Sequence, residues 1–456
     1  MKICRRAIEC IQVINDDGDV RVCGWLKDGG IVGRLAEQSM SEIYNGAHAK
    51  QIKEMHLNGD YSNCNPNACP YVANNEVDDH SLELDELPKY PPSLFLAYEN
   101  VCNYHCVMCT IPDCQKKMDM EEHERKMDKI DAEIRKVLPH VRKISANGLG
   151  ELFASKHILQ LLSEWKPEAD ASDCSVSLET NGSLFNSNNW EKISNLGQYN
   201  LSVSITILSF DPVKYQELSG TSLPVDNLIN NLYFVKSLRE QGIINRLELA
   251  TVYQDANFRE LPEFARRCIE EFGADYVRLR PFEPWRDPDM KEWMRDVRNE
   301  YNPYHKEFLE VMKDPIFKHP KVHDWGGGKV SGLGPEPYPR MRARYNLIEK
   351  ILNDNSFIDR LKERVDTGSI AIYGMHLVGR TLVNHLRNDF DIPYCIDKAM
   401  DGKSFGNVPI YGTYDLRKFE KNTTVIISLD QNENAVKDLL IREGYSSILL
   451  IRDLVK

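Results

Sequence analysis

At 456 residues with 42% hydrophobic side chains, the chain is long enough for two to four domains with real cores. Its formal net charge of −12 argues against a nucleic-acid or anionic-membrane surface. No stretch is long and apolar enough to span a bilayer, and Met1-Lys-Ile-Cys-Arg-Arg6 does not lead into a signal-peptide core, so a cytoplasmic protein is expected.

Twelve cysteines without an export signal point to metal ligation in a reducing compartment rather than to disulfides. Residues 1–85 read as a small cysteine-bearing unit with its linker. Ile8 to Ile14 looks like a strand, Asp16-Asp-Gly18-Asp19 is a hairpin turn signal, and Val20-Arg-Val-Cys23 is the return strand. The hairpin brings Cys10 and Cys23 near each other. Ser39 to Leu57 reads as a helix capped by Ser39 or Ser41. Cys64-Asn-Pro-Asn-Ala-Cys69-Pro70 then supplies a second pair. Four thiolates in two pairs suit a closed site, either zinc or a fully ligated iron–sulfur cluster. The order Cys10, Gly18-x4-Cys23, Ile31-Val-Gly33-Arg34-Leu35, Ser41-Glu-Ile-Tyr44-Asn45, Gly59-Asp-Tyr61 and Cys64…Cys69-Pro70 resembles a SPASM domain. That module carries auxiliary clusters in many radical S-adenosylmethionine (SAM) enzymes, usually after the barrel; here it comes first. The resemblance implies one auxiliary [4Fe-4S] cluster held by Cys10, Cys23, Cys64 and Cys69, with Cys4 outside the pattern. Residues 76–91, acidic and proline-bearing, read as a linker.

Residues 86–325 alternate strand-like segments (93–98, 141–146, 174–179, 200–206, 245–251 and 275–280) with helix-period ones such as Met120–Val137, Lys156–Trp165, Val225–Gln241 and Phe258–Phe272. Repeated β-then-α units imply a parallel sheet with helices outside. Directly after the first strand stands Cys102-Asn-Tyr104-His-Cys106-Val-Met108-Cys109, a C-x3-C-x2-C loop. Three thiolates can hold three irons of a cubane cluster and leave the fourth iron open. A zinc knuckle completed by His105 or a distant Cys competes with this reading. The spacing resembles the radical SAM signature. That implies a [4Fe-4S] cluster on Cys102, Cys106 and Cys109 whose open iron is chelated by SAM, with Tyr104 and Met108 beside the cofactor. Met108 stands where an aromatic residue is usual. The six units then fit a partial (β/α)6 TIM-like barrel, with chemistry at the C-terminal ends of the strands.

Those ends supply the remaining candidates. Asn147-Gly148-Leu-Gly150-Glu151 follows the second strand; it resembles the superfamily's GGEP-type motif, which holds the methionine amine. Glu179 opens the Glu179-Thr-Asn-Gly182 strand end and is a candidate for ribose or substrate. Ser202, Ser204 and Thr206 share one face of the fourth strand, with Ser204 chosen as a ribose or carboxylate contact. Arg278 and Arg280 share a face of the sixth and suit an anionic group. Asp211 is expected to cap a helix. Cys114 is a possible hydrogen-atom donor or spare ligand; Cys174, Cys268 and Cys395 read as small core residues.

Residues 326–365 read as a helical linker, with a helix from Met341 to Val365, and 366–456 as a Rossmann-like domain. Its fingerprint, Gly374-Met-His376-Leu-Val-Gly379, lacks the middle glycine. It resembles the small nucleotide-sugar or dinucleotide-like domains of surface-polysaccharide enzymes; NAD(P) binding and mere docking or dimerisation also remain open. Taken together, the resemblance implies reductive SAM cleavage and hydrogen abstraction from a small-molecule substrate, a sugar or nucleotide-sugar in surface-polysaccharide metabolism, with a flavodoxin or ferredoxin as reductant. A peptide-modifying maturase and a non-catalytic cluster-bearing scaffold are the alternatives.

Overall fold

The computed structural model describes residues 2–66, 68–109, 120–146, 149–283, 294–325, 339–397, 400, 402–429 and 433–455. They belong to two units, one within residues 1–335 and one within 336–456. The first unit contains β1 (Lys2–Cys4), β2 (Ile11–Ile14), β3 (Asp19–Arg21), β4 (Ile31–Arg34), β5 (Ser81–Glu83), β6 (Ser93–Ala97), β7 (Lys143–Ala146), β8 (Ser175–Thr180), β9 (Asn200–Thr206), β10 (Arg246–Tyr253), β11 (Tyr276–Pro281) and β12 (Val322–Asp324). β1 and β5 pair antiparallel with each other. The others form one sheet in the order β12-β11-β10-β9-β8-β7-β6-β2-β3-β4. β6 to β11 are parallel neighbours, as six β-then-α units require.

The two faces of this sheet differ because its strands alternate. Val176, Leu178, Val203, Ile205, Leu247, Leu249, Val277 and Leu279 are buried, in one core with apolar residues of the helices Met120–Val137, Lys156–Glu164, Val225–Glu240 and Leu261–Arg266. The opposite face carries Ser177, Glu179, Ser202, Ser204, Thr206, Glu248, Arg278 and Arg280, all half-buried.

The cysteine-bearing N-terminal residues are not a separate body. β2 adds to β6 in parallel, from Ile11↔Leu94 to Ile14↔Ala97, and a single core runs from Ile3 to Val322. Local departures have local causes. The strand expected from Ile8 starts at Ile11, because Arg6–Glu9 forms a helical turn. The helix expected over Ser39 to Leu57 breaks at Asn45 and Gly46 into Met40–Tyr44 and Ala47–Leu57; Ser39 caps the first piece in a capping box with Glu42. The expected Met341–Val365 helix is two, Pro339–Asn353 and Phe357–Lys362.

The second unit contains β13 (Ile370–Tyr373), β14 (Cys395–Ile396), β15 (Ser404–Phe405), β16 (Val408–Tyr411), β17 (Thr424–Ile427) and β18 (Ile448–Leu450), in the order β15-β16-β14-β13-β17-β18. All neighbours are parallel except β15 and β16. The four-residue strands β13 and β17 are buried throughout, as the centre of a parallel sheet covered on both faces must be. Among the described residues no helix is long and apolar enough to cross a membrane.

A buried polar cluster ties the first two β-then-α units together. Tyr98 OH donates to Asp131 Oδ1 (2.5 Å), and His157 Nδ1 lies 2.8 Å from Asp131 Oδ2. The hydrogen bond to Asp131 raises the His157 pKa above its ordinary value. A folded pKa above the unfolded one gives stability that is complete below about pH 6.5 and is lost as pH rises through the raised value. Asp131→Asn should therefore cost most at low pH. In chemical denaturation the gap between wild type and variant should shrink as pH rises above about 6.5.

Candidate functional site

Beyond β6 the chain passes through buried Glu99 and Asn100 into the cysteine loop. Neighbouring elements hold the loop backbone. Glu151 N donates to Val101 O (2.7 Å), His105 N to Ser219 O (2.8 Å) and Val107 N to Leu218 O (3.0 Å). Two glycines permit these approaches. A Cβ on Gly150 would lie 2.5 Å from Val101 O, and one on Gly220, at φ +62°, would lie 2.5 Å from His105 O. Asn181 Nδ2 donates to Asn103 Oδ1 (3.0 Å) and Asn103 Nδ2 to Ser183 Oγ (2.8 Å), which ties the loop to the turn after β8. Asp211 caps Pro212–Ser219, the helix behind the loop, through Val213 N and Lys214 N.

Cys102 and Cys106 are half-buried and Cys109 is exposed. Burial pushes the Cys102 thiol up to about 11, with Glu151 and Cys109 acting the same way, against a hydrogen bond from Tyr104 N. A thiol raised in this way gives up its proton more readily beside a bound cation. The donors here are sulfur alone, which fits iron–sulfur ligation.

Tyr104, expected beside the cofactor, is buried with its hydroxyl on that of Tyr215, so it pins the loop to Pro212–Ser219. Met108 is half-buried on the loop. Gly148 and Cys114 lie outside the described residues. Glu151 is 2% exposed, and its carboxylate already takes three protein donors: Phe153 N (3.1 Å), Thr180 Oγ1 (2.5 Å) and Asn181 N (2.7 Å). Burial raises its pKa against those donors. It couples the ends of β7 and β8.

Glu179, Ser204 and Glu248 stand in one row across β8, β9 and β10. Ser204 Oγ donates to Glu248 Oε1 (2.9 Å) and accepts from Arg278 Nη2 (3.1 Å), while Arg278 pairs with Glu248 at 2.5 Å. Ser204 and Arg278 are thus held by a partner the sequence reading missed. The alternation Arg246-Leu-Glu248-Leu was the signal for it. Arg280, one step nearer the strand end, makes no hydrogen bond or ion pair among the described residues. Burial first, then Arg278, lowers its pKa, while Glu179, Glu283 and Glu248 raise it.

At the N-terminus, Cys4 ends β1, Cys10 caps the Arg6–Glu9 turn, Cys23 follows β3, Cys64 bridges to Leu26, and Cys69 precedes the helix Pro70–Ala73. Cys64, pushed up to about 12 by burial, feels Cys69, Cys23 and Cys4; Cys4 feels Cys23 and Cys69. Cys10 feels Arg6 and Cys23 before Cys4, and takes a hydrogen bond from Gln12 Nε2 (3.5 Å). Cys4, which the sequence reading set aside, thus interacts with the Cys23, Cys64 and Cys69 thiols, as Cys10 does with those of Cys23 and Cys4. The described cysteines are free thiols, with Cys174, Cys268 and Cys395 buried in apolar cores. Among the described residues no three His, Cys, Asp or Glu side chains form a ready site for a single metal ion.

A model of the SPASM family, an iron–sulfur cluster-binding domain, matches residues 4–70, a span that begins at Cys4. No curated protein matches the chain. Among solved structures, it is similar to Streptococcus suis SuiB bound to S-adenosylmethionine (16% identity, TM-score 0.34, 52% of this chain and 47% of that one). It is also similar to anSMEcpe with bound AdoMet (13%, 0.33, 57% and 65%) and to methylornithine synthase PylB (15%, 0.31, 48% and 62%). The chain thus spans about half the length of SuiB.

Gly220→Ala should cost about 1–2 kcal/mol for the left-handed backbone alone, and should displace the His105 carbonyl. The metal-free variant should alkylate faster than wild type at Cys102 and Cys106 by mass spectrometry, with Cys268 still protected.

Proposed function

We propose that this chain, built on an iron–sulfur cluster-binding SPASM domain at residues 4–70, is a radical SAM enzyme acting on a hydroxyl-rich substrate, a sugar or nucleotide-sugar. The observation that carries the reading is three thiols on one loop at the C-terminal end of β6, the first of six parallel strands whose inner face is polar. Cys102, Cys106 and Cys109 hold a [4Fe-4S] cluster with one open iron. When bound, it supplies the electron that cleaves SAM to methionine and a 5′-deoxyadenosyl radical, which takes a hydrogen atom from a substrate carbon.

The chain's own residues do the positioning. Asn103, Glu151, Asn181 and Gly220 fix the loop against the ends of β7 and β8 and the helix Pro212–Ser219, so that Cys102, Cys106 and Cys109 would hold the cluster at that end of the sheet. Ser177, Ser202, Ser204, Thr206 and Glu248 line that face with small hydroxyls and a carboxylate, groups that match sugar hydroxyls better than apolar side chains. Arg280, a desolvated guanidinium with no hydrogen bond or ion pair among the described residues, receives an anionic group such as a phosphate. Cys4, Cys23, Cys64 and Cys69 hold the auxiliary [4Fe-4S] cluster, with Cys10 outside it. A ferredoxin or flavodoxin in the cytoplasm supplies the electron. The second unit is read as Rossmann-like and as the nucleotide-binding part. Its parallel strands run β16-β14-β13-β17-β18, and Asp397, just beyond β14, accepts from Met375 N (2.6 Å) in the loop after β13.

Anaerobically reconstituted protein should carry about eight irons by the two-cluster reading and should form 5′-deoxyadenosine from SAM and dithionite. Cys102→Ala/Cys106→Ala/Cys109→Ala should lose about half the iron and all product. Absence of product from wild type, even with candidate substrates, would sink the enzyme reading.

In the same iron assay Cys4→Ala should lose the auxiliary cluster while Cys10→Ala keeps it; the reverse result would restore the ligand set read from the sequence. Arg280→Gln should raise KM for a phosphate-bearing sugar substrate by tenfold or more, a loss of about 1.4 kcal/mol, and leave SAM affinity unchanged. Weaker SAM binding would reassign Arg280 to the SAM carboxylate.

A further inference from the structure

Arg6 lies on the short turn between β1 and β2 and is half-buried. Its Nε donates to Cys23 Sγ (3.3 Å), and its guanidinium lies over the Trp25 indole, 3.8 Å from the ring centroid. Trp25 is backed in turn by Tyr71, edge-on at 5.8 Å. The electrostatic partners of Arg6 are Cys10, Cys23 and Tyr71; among the described residues no carboxylate forms an ion pair with it. A guanidinium taken partly out of water without a counter-charge is costly. Neutral thiols return little of that cost, whereas thiolates bound to iron supply the missing negative charge.

We propose that Arg6 sets the reduction potential of the auxiliary cluster, by donating a hydrogen bond to the Cys23 sulfur and placing a fixed cation beside it. This rests on the reading of Cys4, Cys23, Cys64 and Cys69 as cluster ligands. One-electron reduction takes the oxidised [4Fe-4S] core from 2+ to 1+, with the electron drawn from an external donor, so the thiolate-bound cluster gains one negative charge. A nearby cation stabilises the reduced form more than the oxidised one, and hydrogen bonds to sulfur act in the same direction. The Trp25 face holds the guanidinium in place without cancelling its charge. Arg6 is a positioning residue: it touches a ligand sulfur, not a substrate.

The test is a potentiometric titration followed by electron paramagnetic resonance. It uses the full-length chain carrying Cys102→Ala/Cys106→Ala/Cys109→Ala, so that only the auxiliary cluster gives a signal. Arg6→Gln should shift the midpoint to more negative potential by a factor of about ten in the reduction equilibrium, about 59 mV for one electron. Arg6→Lys, which keeps the charge and loses the fork, should fall between. If Arg6→Gln does not load iron, Arg6→Met, which retains the apolar stem, is measured in its place. An unchanged midpoint in whichever variant loads a full cluster overturns the proposal. A parent protein that binds no iron at residues 4–70, or zinc instead, overturns the ligand reading and the role of Arg6 with it.

Discussion

A parallel sheet that does not close into a full barrel has two exposed edges, and this constraint shapes the first unit. Unpaired strand edges invite association with other chains unless they are covered. Here β2 covers β6 in register from Ile11↔Leu94 to Ile14↔Ala97, and β12 covers β11 from Val277↔Val322 to Leu279↔Asp324. Because β2 is parallel to β6, the chain between them has to cross over rather than turn back. That crossover is long enough to carry Cys23, Cys64 and Cys69. The cysteine-bearing N-terminus thus serves as edge cover and crossover, and it shares the core of the parallel strands β6 to β11.

A second constraint is the placing of buried charge beneath the cysteine loop. Glu151, Glu99, Asp131 and His157 are all at least nine-tenths buried. Each is satisfied by groups from a different element. Glu151 takes donors from its own turn and from the end of β8; Glu99 takes Ser155 Oγ and His157 N; Asp131 takes Tyr98 OH and His157. Such networks are stable when every member is paired and costly when one is missing. Glu151 also holds the loop directly, through its N–H to Val101 O. The inner face is organised differently: Arg278 is locked by Glu248 and Ser204, while Arg280, two residues on, makes no such bond among the described residues.

Much of this was legible in the residues taken alone. Period-two alternation put Ser202, Ser204 and Thr206 on one face of their strand and Arg278 and Arg280 on one face of theirs, because successive side chains on a strand point to opposite sides. The C-x3-C-x2-C spacing fixed the loop after β6, and Asp211 and Ser39 announced helix starts through the short side chains that reach orphan backbone N–H groups. These signals are local, carried within a few residues by covalent geometry and backbone hydrogen bonding.

What the sequence did not disclose depends on which distant segments meet. Cys4 lies opposite Ser81 because β1 pairs with β5, and no spacing along the chain encodes that register. Glu248 becomes the partner of Ser204 and Arg278 only once β9, β10 and β11 lie side by side. Glu151 is enclosed by Thr180 and Asn181 only once β7 and β8 are neighbours. The sequence by itself determined the alternating elements and the thiol loop. The tertiary structure decided that Arg278 is the arginine paired with Glu248 and that the Glu151 carboxylate is buried, since burial and pairing belong to the packed sheet and not to any one of its strands.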